Sequence, residues 1–503
     1  MQKMHITSKK CIGGFKQCSA NMGLTPLDLY RPMKMITTRL EKDLIGTKSV
    51  PQHVYYGIQT LRALENFDLT QNKLSQYPYF IQSLAMVKRA AAEANYTLKL
   101  LNQEKYEAIS YACEKLIQGE YLDQFPLDML QGGAGTSTNM NVNEVICNIA
   151  LEYLGHQKGQ YQYLHPNNDV NMSQSTNDVY PTAIRIAVLS YVEVYQIHLS
   201  HLIQALKDKA VAFSDVLKMG RTQLQDAVPM TLGQEFNAFA HMLAQDISLL
   251  DTLPDILGKV NLGGTAIGTG INAPAHYQQL AVASLARMRQ EKIQSAPNLI
   301  AATSDMGDFV LVSGYLKRTA TKLSKIANDL RLLSSGPRAG LNEIYLEPRQ
   351  AGSSIMPGKV NPVIPEAMNM AAFQVIANDV AISLAADAGQ FQLNAMEPLI
   401  AFKLFESLDM LSRSIDMFTQ FCVNTLQANV EQCRYNVEHS IGIVTALNPY
   451  LGYETTTRLA QMAQHTGKSI VALVRQEGLL SEECLQQALS IEHMLHPPLD
   501  VAI

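Results

Sequence analysis

Four polar loops carry most of the side chains that could do chemistry in this 503-residue chain. They cover residues 131–141, 173–178, 220–226 and 351–362 and are called here the first to the fourth loop. Hydroxyl, amide and backbone N–H groups are abundant in them. Such groups offer hydrogen-bond donors to a small anion. The loops therefore predict an anion-binding site, with helix caps as the plainer alternative for any single loop.

The glycines of the first loop do not indicate a nucleotide site. Gly132, Gly133 and Gly135 lack the G-x-G-x-x-G spacing, and no Gly-Lys-Ser/Thr triplet follows them. The chain also lacks the alternating strand and helix pattern of a parallel sheet. A nest of amides and hydroxyls for a small anion is the better interpretation.

The composition is that of a folded chain without surplus positive charge. Hydrophobic residues make up 47% and charged residues 17%, and 40 Lys and Arg stand against 45 Asp and Glu. The formal charge of −5 leaves no basic surface for a phosphate backbone or an anionic membrane. No uninterrupted apolar stretch approaches the roughly 18–20 residues of a membrane span. We expect neither nucleic acid nor a membrane as a partner.

The seven cysteines are scattered, without a Cys-x-x-Cys pair or histidines at zinc spacing. Reduced, mostly buried thiols are the expected state, and they indicate a reducing compartment. We therefore predict a cytoplasmic protein. No cluster of His, Asp and Glu with ligand spacing is visible, so we predict no metal site.

Long amphipathic helices must position the four loops. Apolar side chains recur at three- and four-residue spacing over 199–213 and 310–333, and Gly336-Pro337 ends the second stretch. Similar stretches run over 365–388 and 398–426. The sequence predicts a mostly α fold with a central bundle of long helices.

Strand patterns are few, and breaks in the helical pattern suggest the domain boundaries. Short extended pieces are predicted at 50–57 and 260–271. We predict a disordered extension, an N-terminal domain, a central helical-bundle domain and a small C-terminal domain, at residues 1–40, 41–174, 175–430 and 431–503.

The fourth loop also carries a specific resemblance. Residues 352–361, Gly-Ser-Ser-Ile-Met-Pro-Gly-Lys-Val-Asn, resemble the G-S-S-x-M-P-x-K-x-N signature of the aspartase/fumarase superfamily. The resemblance extends from about residue 41 to residue 497. Within the superfamily the chain looks like the bacterial aspartate ammonia-lyases, for example over 218–236 and 330–344.

The resemblance implies the three-domain fold of this superfamily and the elimination of ammonia from L-aspartate to give fumarate. It implies that Ser353 is the general base, that Ser354 contacts the substrate, and that an aci-carboxylate is the intermediate. Carried over position by position, the carboxylate-binding residues are Thr136, Ser175, Thr176, Asn177, Thr222, Gln223, Lys359 and Asn361.

The resemblance also implies a homotetramer whose sites are shared between subunits. It implies that the chemistry needs no cofactor. Activation by a divalent cation stays open, because some bacterial aspartases respond to one.

Gln223 helps to distinguish an ammonia-lyase from a fumarate hydratase. Fumarases carry His at this position and pair it with the glutamate that corresponds to Glu366, in order to handle water. Ammonia leaves without further protonation, whereas hydroxide needs acid help, so Gln223 favours an ammonia-lyase over a fumarate hydratase. A third alternative is a non-catalytic lyase scaffold used structurally. The presence of Ser353, Lys359 and Asn361 counts against it.

Overall fold

The computed structural model describes residues 37–495, and its 63% helix content confirms the mostly α prediction. The first elements of the described range are two strands and four helices. These are β1 (Thr38–Lys42), β2 (Thr47–Pro51), α1 (Ile58–Asn66), α2 (Pro78–Thr97), α3 (Gln103–Ile117) and α4 (Thr136–Tyr153).

Long helices form the middle of the chain. The elements are α5 (Thr176–Ala212), β3 (Leu217–Thr222), β4 (Gln225–Thr231), α6 (Leu232–Leu250), α7 (Leu253–Leu257), β5 (Lys259–Val260), α8 (Tyr277–Arg289), β6 (Gln294–Ser295), α9 (Leu299–Ser304), α10 (Gly307–Leu333), β7 (Ile344–Tyr345), α11 (Val363–Asp387) and α12 (Glu397–Phe418). Helices α5, α6, α10, α11 and α12 pack side by side as a bundle, which confirms the predicted long helices.

Five helices of 5 to 23 residues form the last part of the described chain. They follow β8 (Gln427–Ala428) and are α13 (Val430–His439), α14 (Val444–Thr466), α15 (Ile470–Glu477), α16 (Glu482–Ala488) and α17 (Ile491–Leu495). Their apolar side chains form a second buried cluster beside the bundle core, and Met219 of β3 is part of it. The third loop therefore lies between the bundle and the C-terminal helices.

Helix α5 extends over 37 residues, about 55 Å at 1.5 Å per residue. Pro181 lies inside it and has no N–H for the carbonyl of Asn177. The side chain of Asn261 donates to that carbonyl instead, at 3.0 Å. The carbonyl that Pro181 leaves without a helical donor is therefore still hydrogen-bonded.

Helices α5 and α10 run in the same direction. Near their N-terminal ends, Arg185 Nη1 lies 2.8 Å from Asp308 Oδ2. Beyond their C-terminal ends, Arg221 Nη2 lies 2.7 Å from Glu343 Oε1. The second loop precedes α5, whereas the third and fourth loops follow the C-terminal ends of α5 and α10. The loops therefore lie at opposite ends of the bundle.

The structure differs from the sequence-based expectations at two places in the N-terminal part. Residues 1–36 of the predicted extension lie outside the described residues, but Thr38 to Leu40 belong to β1. Arg39 fixes this strand by donating to the carbonyl oxygens of Pro51, Val54 and Tyr56. The extended piece predicted at 50–57 ends as a strand at Pro51, because α1 begins at Ile58 after a short loop.

The strand predicted at 260–271 is wrong apart from Val260. The N–H groups of Gly263 and Thr265 donate to a carboxylate oxygen of Asp178, at 2.9 and 3.0 Å, rather than to a neighbouring strand. The segment is therefore a glycine-rich turn region packed against the start of α5.

Two helices of the described chain, α5 and α11, are long and apolar enough to cross a membrane by length and composition alone. Most of the apolar window of α5 is buried in the bundle. Helix α11 packs against α10 and α12, but Met370, Phe373, Val380 and Leu384 remain exposed on it. These four side chains are three, seven and four positions apart, so they form one apolar stripe along the helix.

Candidate active site

The first and second loops meet where α4 and α5 begin. Thr136 is the first residue of α4, and Ser175 is the N-terminal cap of α5. Asn139, in the first turn of α4, donates from Nδ2 to Thr176 Oγ1 at 3.2 Å. The positive ends of two helix dipoles therefore lie together, and such ends favour a bound anion.

Ser175 and Asp178 form a capping box at the start of α5. The Oγ of Ser175 accepts the N–H of Asn177 at 3.2 Å, and the carboxylate of Asp178 accepts the N–H of Ser175 at 3.0 Å. Burial raises the pKa of Asp178 to about 6, against the effect of its backbone donors. The cap alternative is thus correct for Ser175, yet its Oγ only accepts here, so its hydroxyl hydrogen can serve a ligand.

The other two predicted residues of the second loop have defined partners. Asn177 donates from Nδ2 to the carbonyl of Ala266 at 2.7 Å, which ties it to the glycine-rich segment. Thr176 Oγ1 accepts from Asn139. Thr176 and Asn177 are half-buried, and Thr136 is exposed.

Behind these helix ends lies a buried lysine that sequence analysis missed. Lys88 of α2 is 0% exposed, and its Nζ donates to oxygens of Asn139, Asn171 and Gln174 at 2.7, 2.8 and 2.9 Å. Burial lowers the pKa of Lys88 to about 7, while the carboxylate of Asp178 opposes this shift.

The third loop is the tip of the β3–β4 hairpin. Thr222 pairs with Gln225, and the two residues between them, Gln223 and Leu224, have φ of 54° and 62°. Left-handed backbone at two consecutive non-glycine residues is strained, and such strain concentrates at functional turns. Thr222 and Gln223 are exposed at this tip.

Two cations of β3 tie the hairpin to buried Glu343. Lys218 Nζ and Arg221 Nη2 lie 3.2 and 2.7 Å from its two carboxylate oxygens, and Asn436 Nδ2 donates to it at 3.0 Å. Burial alone would raise the pKa of Glu343, but Arg221 and Lys218 outweigh it and lower the pKa. Glu343 therefore fixes the hairpin beside the segment that leads to the fourth loop.

The fourth loop is closed at its base and exposed at its tip. The N–H of Gly352 donates to the carbonyl of Lys359 at 2.9 Å, and Asn361 Nδ2 donates to the carbonyl of Gly352 at 2.8 Å. Asn361 therefore holds the loop base together. Ile355 at the tip is 83% exposed.

Within this loop the Oγ of Ser353 accepts two backbone N–H groups. Ile355 and Met356 donate them at 3.2 and 3.1 Å. The pair stabilises negative charge on Oγ. Ser353 is half-buried, and Ser354 beside it is exposed.

A cavity of about 920 Å³ lies against the C-terminal half of this loop. Its lining includes Lys359, Asn361 and Glu366, together with Arg331 and Arg349. Residues of the first three loops are absent from the lining that the described chain provides. In one chain Thr136, Ser175, Thr176 and Asn177 therefore lie at one end of the bundle, and the third and fourth loops lie at the other. The cavity beside Lys359 and Asn361 is not lined by Thr222 or Gln223.

Among residues 37–495, no group of three or more His, Cys, Asp or Glu side chains is placed to hold a metal ion. Cys113, Cys147, Cys422 and Cys433 are free and buried in the same range.

Two family models match this sequence. The model described as Lyase matches residues 46–377, more than half of the chain, and the model described as Fumarase C C-terminus matches residues 443–496. Fold and sequence together define the class of protein as a lyase of the fumarase type.

Curated relatives show which family within this class the chain belongs to. The aspartate ammonia-lyase of Pseudomonas aeruginosa is 61% identical over 464 residues, which are 92% of this chain and 98% of that protein. The aspartate ammonia-lyase of Escherichia coli K12 is 52% identical over 460 residues, 91% of this chain and 96% of that protein. The chain belongs to the aspartate ammonia-lyase family of carbon–nitrogen lyases, which confirms the resemblance seen in the sequence.

Solved structures share the fold. The fumarate lyase:delta crystallin of Brucella melitensis, bound to cobalt, superposes with a TM-score of 0.88 at 50% identity, covering 91% of this chain and 99% of that one. The class II fumarase of Schistosoma mansoni superposes with a TM-score of 0.85 at 35% identity, covering 92% of this chain and 99% of that one. The predicted superfamily fold is therefore confirmed.

Sequence analysis missed the residues that position the loops, chiefly Lys88, Asp178 and Glu343. A signal existed for Asp178, because Ser175-x-x-Asp178 has the spacing of a capping box. The sequence held no comparable signal for Lys88 or Glu343, since a charged residue in a helix or loop is expected to face solvent.

Proposed function

We propose that this chain converts L-aspartate to fumarate and ammonia, with Ser353 as the general base. The observation that carries the mechanism is the pair of N–H groups, from Ile355 and Met356, that reach the Oγ of Ser353. A serine hydroxyl is a poor base, and amide donors lower the free energy of the alkoxide that takes the proton. Membership of the aspartate ammonia-lyase family supports the substrate and the products.

The proton to be removed lies beside a carboxylate, which must take up a second negative charge as an aci-carboxylate. Preorganised donors stabilise such charge. The hydroxyls of Thr136, Ser175 and Thr176 at two helix N-termini support one binding region for a carboxylate. Lys359, beside the serine loop, supports a second, because an ammonium group can pair with a carboxylate.

We further propose a homotetramer in which one active site draws its loops from different subunits. Helix α10 alone, with 27 residues, spans about 40 Å between the two ends of the bundle. A substrate the size of aspartate cannot touch both ends of one chain. A second chain can supply the missing loops, and the exposed apolar stripe of α11 supports such an association.

The proposed enzyme is cytoplasmic and needs no cofactor for its chemistry. The buried free thiols of the described chain support a reducing compartment. The Ser353 alkoxide takes the proton from carbon, and the C–N bonding pair leaves with the substrate's ammonium group as neutral ammonia, so the elimination balances without a metal. Whether a divalent cation activates the enzyme is decided by assaying with and without a chelator.

Gln223 supports ammonia elimination rather than hydration. It stands at the exposed hairpin tip beside Thr222. A glutamine amide does not titrate near neutral pH, so it cannot protonate a leaving hydroxide as a histidine can.

The test follows fumarate absorbance with L-aspartate and with L-malate as separate substrates. Fumarate from L-aspartate is the expected result. Fumarate from L-malate alone would make the chain a fumarate hydratase. If an intact tetramer forms no fumarate from either substrate, the chain is a non-catalytic lyase scaffold.

A further inference from the structure

The ammonium group of Lys88, a residue of α2, lies directly behind the first and second loops. Its Nζ is enclosed by three neutral side-chain amides, those of Asn139, Asn171 and Gln174. The charged or titratable groups that influence it are Asp178 of α5 and the buried thiol of Cys113 of α3. A buried lysine of this kind is rare and costly, so its role needs an explanation.

Three oxygen atoms within 2.9 Å of Nζ match the protonated form of Lys88, and in that form the hydrogen bonds around it have one consistent direction. An ammonium group has three donors and no acceptor, and each of its three partners faces it with an oxygen. The NH₂ group of Asn139 must therefore point away from Lys88. It donates to Asn171 Oδ1 at 3.1 Å and to Thr176 Oγ1 at 3.2 Å.

The orientation of the Asn139 amide also determines how the hydroxyl of Thr176 is hydrogen-bonded. Because its Oγ1 accepts from Asn139, the hydroxyl hydrogen of Thr176 is available to donate elsewhere. The hydroxyl lies at the start of α5, near Thr136 and Ser175, where a carboxylate would meet the helix ends. A carboxylate only accepts hydrogen bonds, so a threonine set as a donor is matched to it.

We propose that Lys88 is a positioning residue that, through Asn139, sets the hydroxyl of Thr176 as a donor to a substrate carboxylate. This inference rests on the proposed function, since it takes a dicarboxylate as the ligand. Lys88 touches no substrate in this arrangement. It acts by fixing the orientation of one amide, and that amide fixes one hydroxyl.

The most direct test reverses the hydrogen bond between Asn139 and Thr176. Asn139→Asp keeps an oxygen acceptor for Lys88 but has no NH₂ group, so the hydroxyl of Thr176 turns to donate to the new carboxylate. The expected result is a KM for L-aspartate at least tenfold higher, with kcat changed less than threefold. The tetramer is checked by size-exclusion chromatography and folding by circular dichroism.

A new carboxylate could also repel the substrate directly, so the change is repeated in two backgrounds. In Thr176→Val the hydroxyl is gone, and Asn139→Asp should then raise KM less than threefold further. In Thr176→Ser the hydroxyl is kept, and the tenfold rise should return. The same rise in all three backgrounds would overturn the proposal, because repulsion does not depend on the hydroxyl.

Lys88→Met removes the ammonium group itself and should also raise KM at least tenfold if the chain folds. A folded tetramer of Lys88→Met with KM within twofold of the parent would overturn the proposal. If this variant fails to fold, the proposal is decided by Asn139→Asp in the parent, Thr176→Val and Thr176→Ser backgrounds. The matched control is Lys105→Met, since Lys105 is a partly buried lysine that pairs with Asp169 at 2.8 Å, and its KM should stay within twofold.

Turnover of the parent is measured first. A parent that forms no fumarate from L-aspartate refutes the proposed function. The positioning inference is then decided by calorimetric titration of the same variants with fumarate, in which the affinity should follow the pattern predicted for KM. No binding of fumarate to the folded parent tetramer would overturn the inference as well.

Discussion

Arg221 Nη2 lies 2.7 Å from Glu343 Oε1, and this ion pair joins the β3–β4 hairpin to the segment between α10 and the fourth loop. Glu343 is 0% exposed, and Lys218 approaches its other carboxylate oxygen. The hairpin tip with Thr222 is therefore positioned by a buried charge cluster rather than by the two-stranded ladder alone.

Glu343→Gln is expected to destabilise the fold by about 3 kcal/mol at pH 7.5, because half-buried Arg221 loses its carboxylate partner and buried Lys218 keeps only Glu235. The pKa of Glu343 is lowered by folding, so its contribution is present above the usual value of 4.5 and is lost as the pH falls below it. Urea unfolding at one protein concentration should show a smaller difference from the parent at pH 4. Glu454→Gln, at an exposed position of α14, is the control, and an equal shift in both variants would contradict this role.

Ser353→Ala is expected to lower kcat by a factor of about 10³ or more while fumarate still binds, because a proton acceptor is lost and little packing volume changes. Ser481→Ala is the matched control. Ser481 also accepts a backbone N–H, that of Cys484 at 3.2 Å, but only as a helix cap. It should cost about 1 kcal/mol of stability and leave kcat unchanged. Activity of Ser353→Ala within tenfold of the parent would exclude Ser353 as the base.

Gly352→Ala tests the closed base of the fourth loop. An added Cβ would lie 2.5 Å from the carbonyl oxygen of Lys359, so the pairing that holds the loop must open. We expect kcat/KM to fall by at least about tenfold with little change in melting temperature, because the loop is exposed. Gly314→Ala, in open space on α10, should leave both unchanged. A fully active Gly352→Ala would show that the loop base needs no close approach.

Mixing two inactive variants tests the shared sites. One parent is the double variant Thr136→Val/Thr176→Val, and the other is Ser353→Ala. When they are unfolded, mixed equally and refolded, about a quarter of the sites should combine an intact second loop from one chain with an intact fourth loop from another. Aspartate turnover of the mixture is compared with each variant refolded alone, and tetramer content is measured by sizing. No gain in confirmed mixed tetramers would mean that one chain builds the whole site.

Local sequence determined the long helices and the character of the loops. The apolar spacing over 310–333 predicted α10, because helix formation depends on neighbours three and four positions apart. The Gly-Ser-Ser segment at 352–354 identified the fourth loop by its residue types alone. Family membership followed from the sequence as well, since the matching motifs are continuous stretches.

The tertiary structure alone decided what surrounds each of these residues. The strand expected at 260–271 did not form, because Asp178, far away in sequence, takes the N–H groups of Gly263 and Thr265. Lys88 could not be recognised as buried, because its three amide partners come from segments 51 to 86 positions away. The opposite placement of the second and fourth loops depends on the direction in which α5 and α10 pack. Contacts of this kind join residues remote in the chain, and no local spacing encodes them.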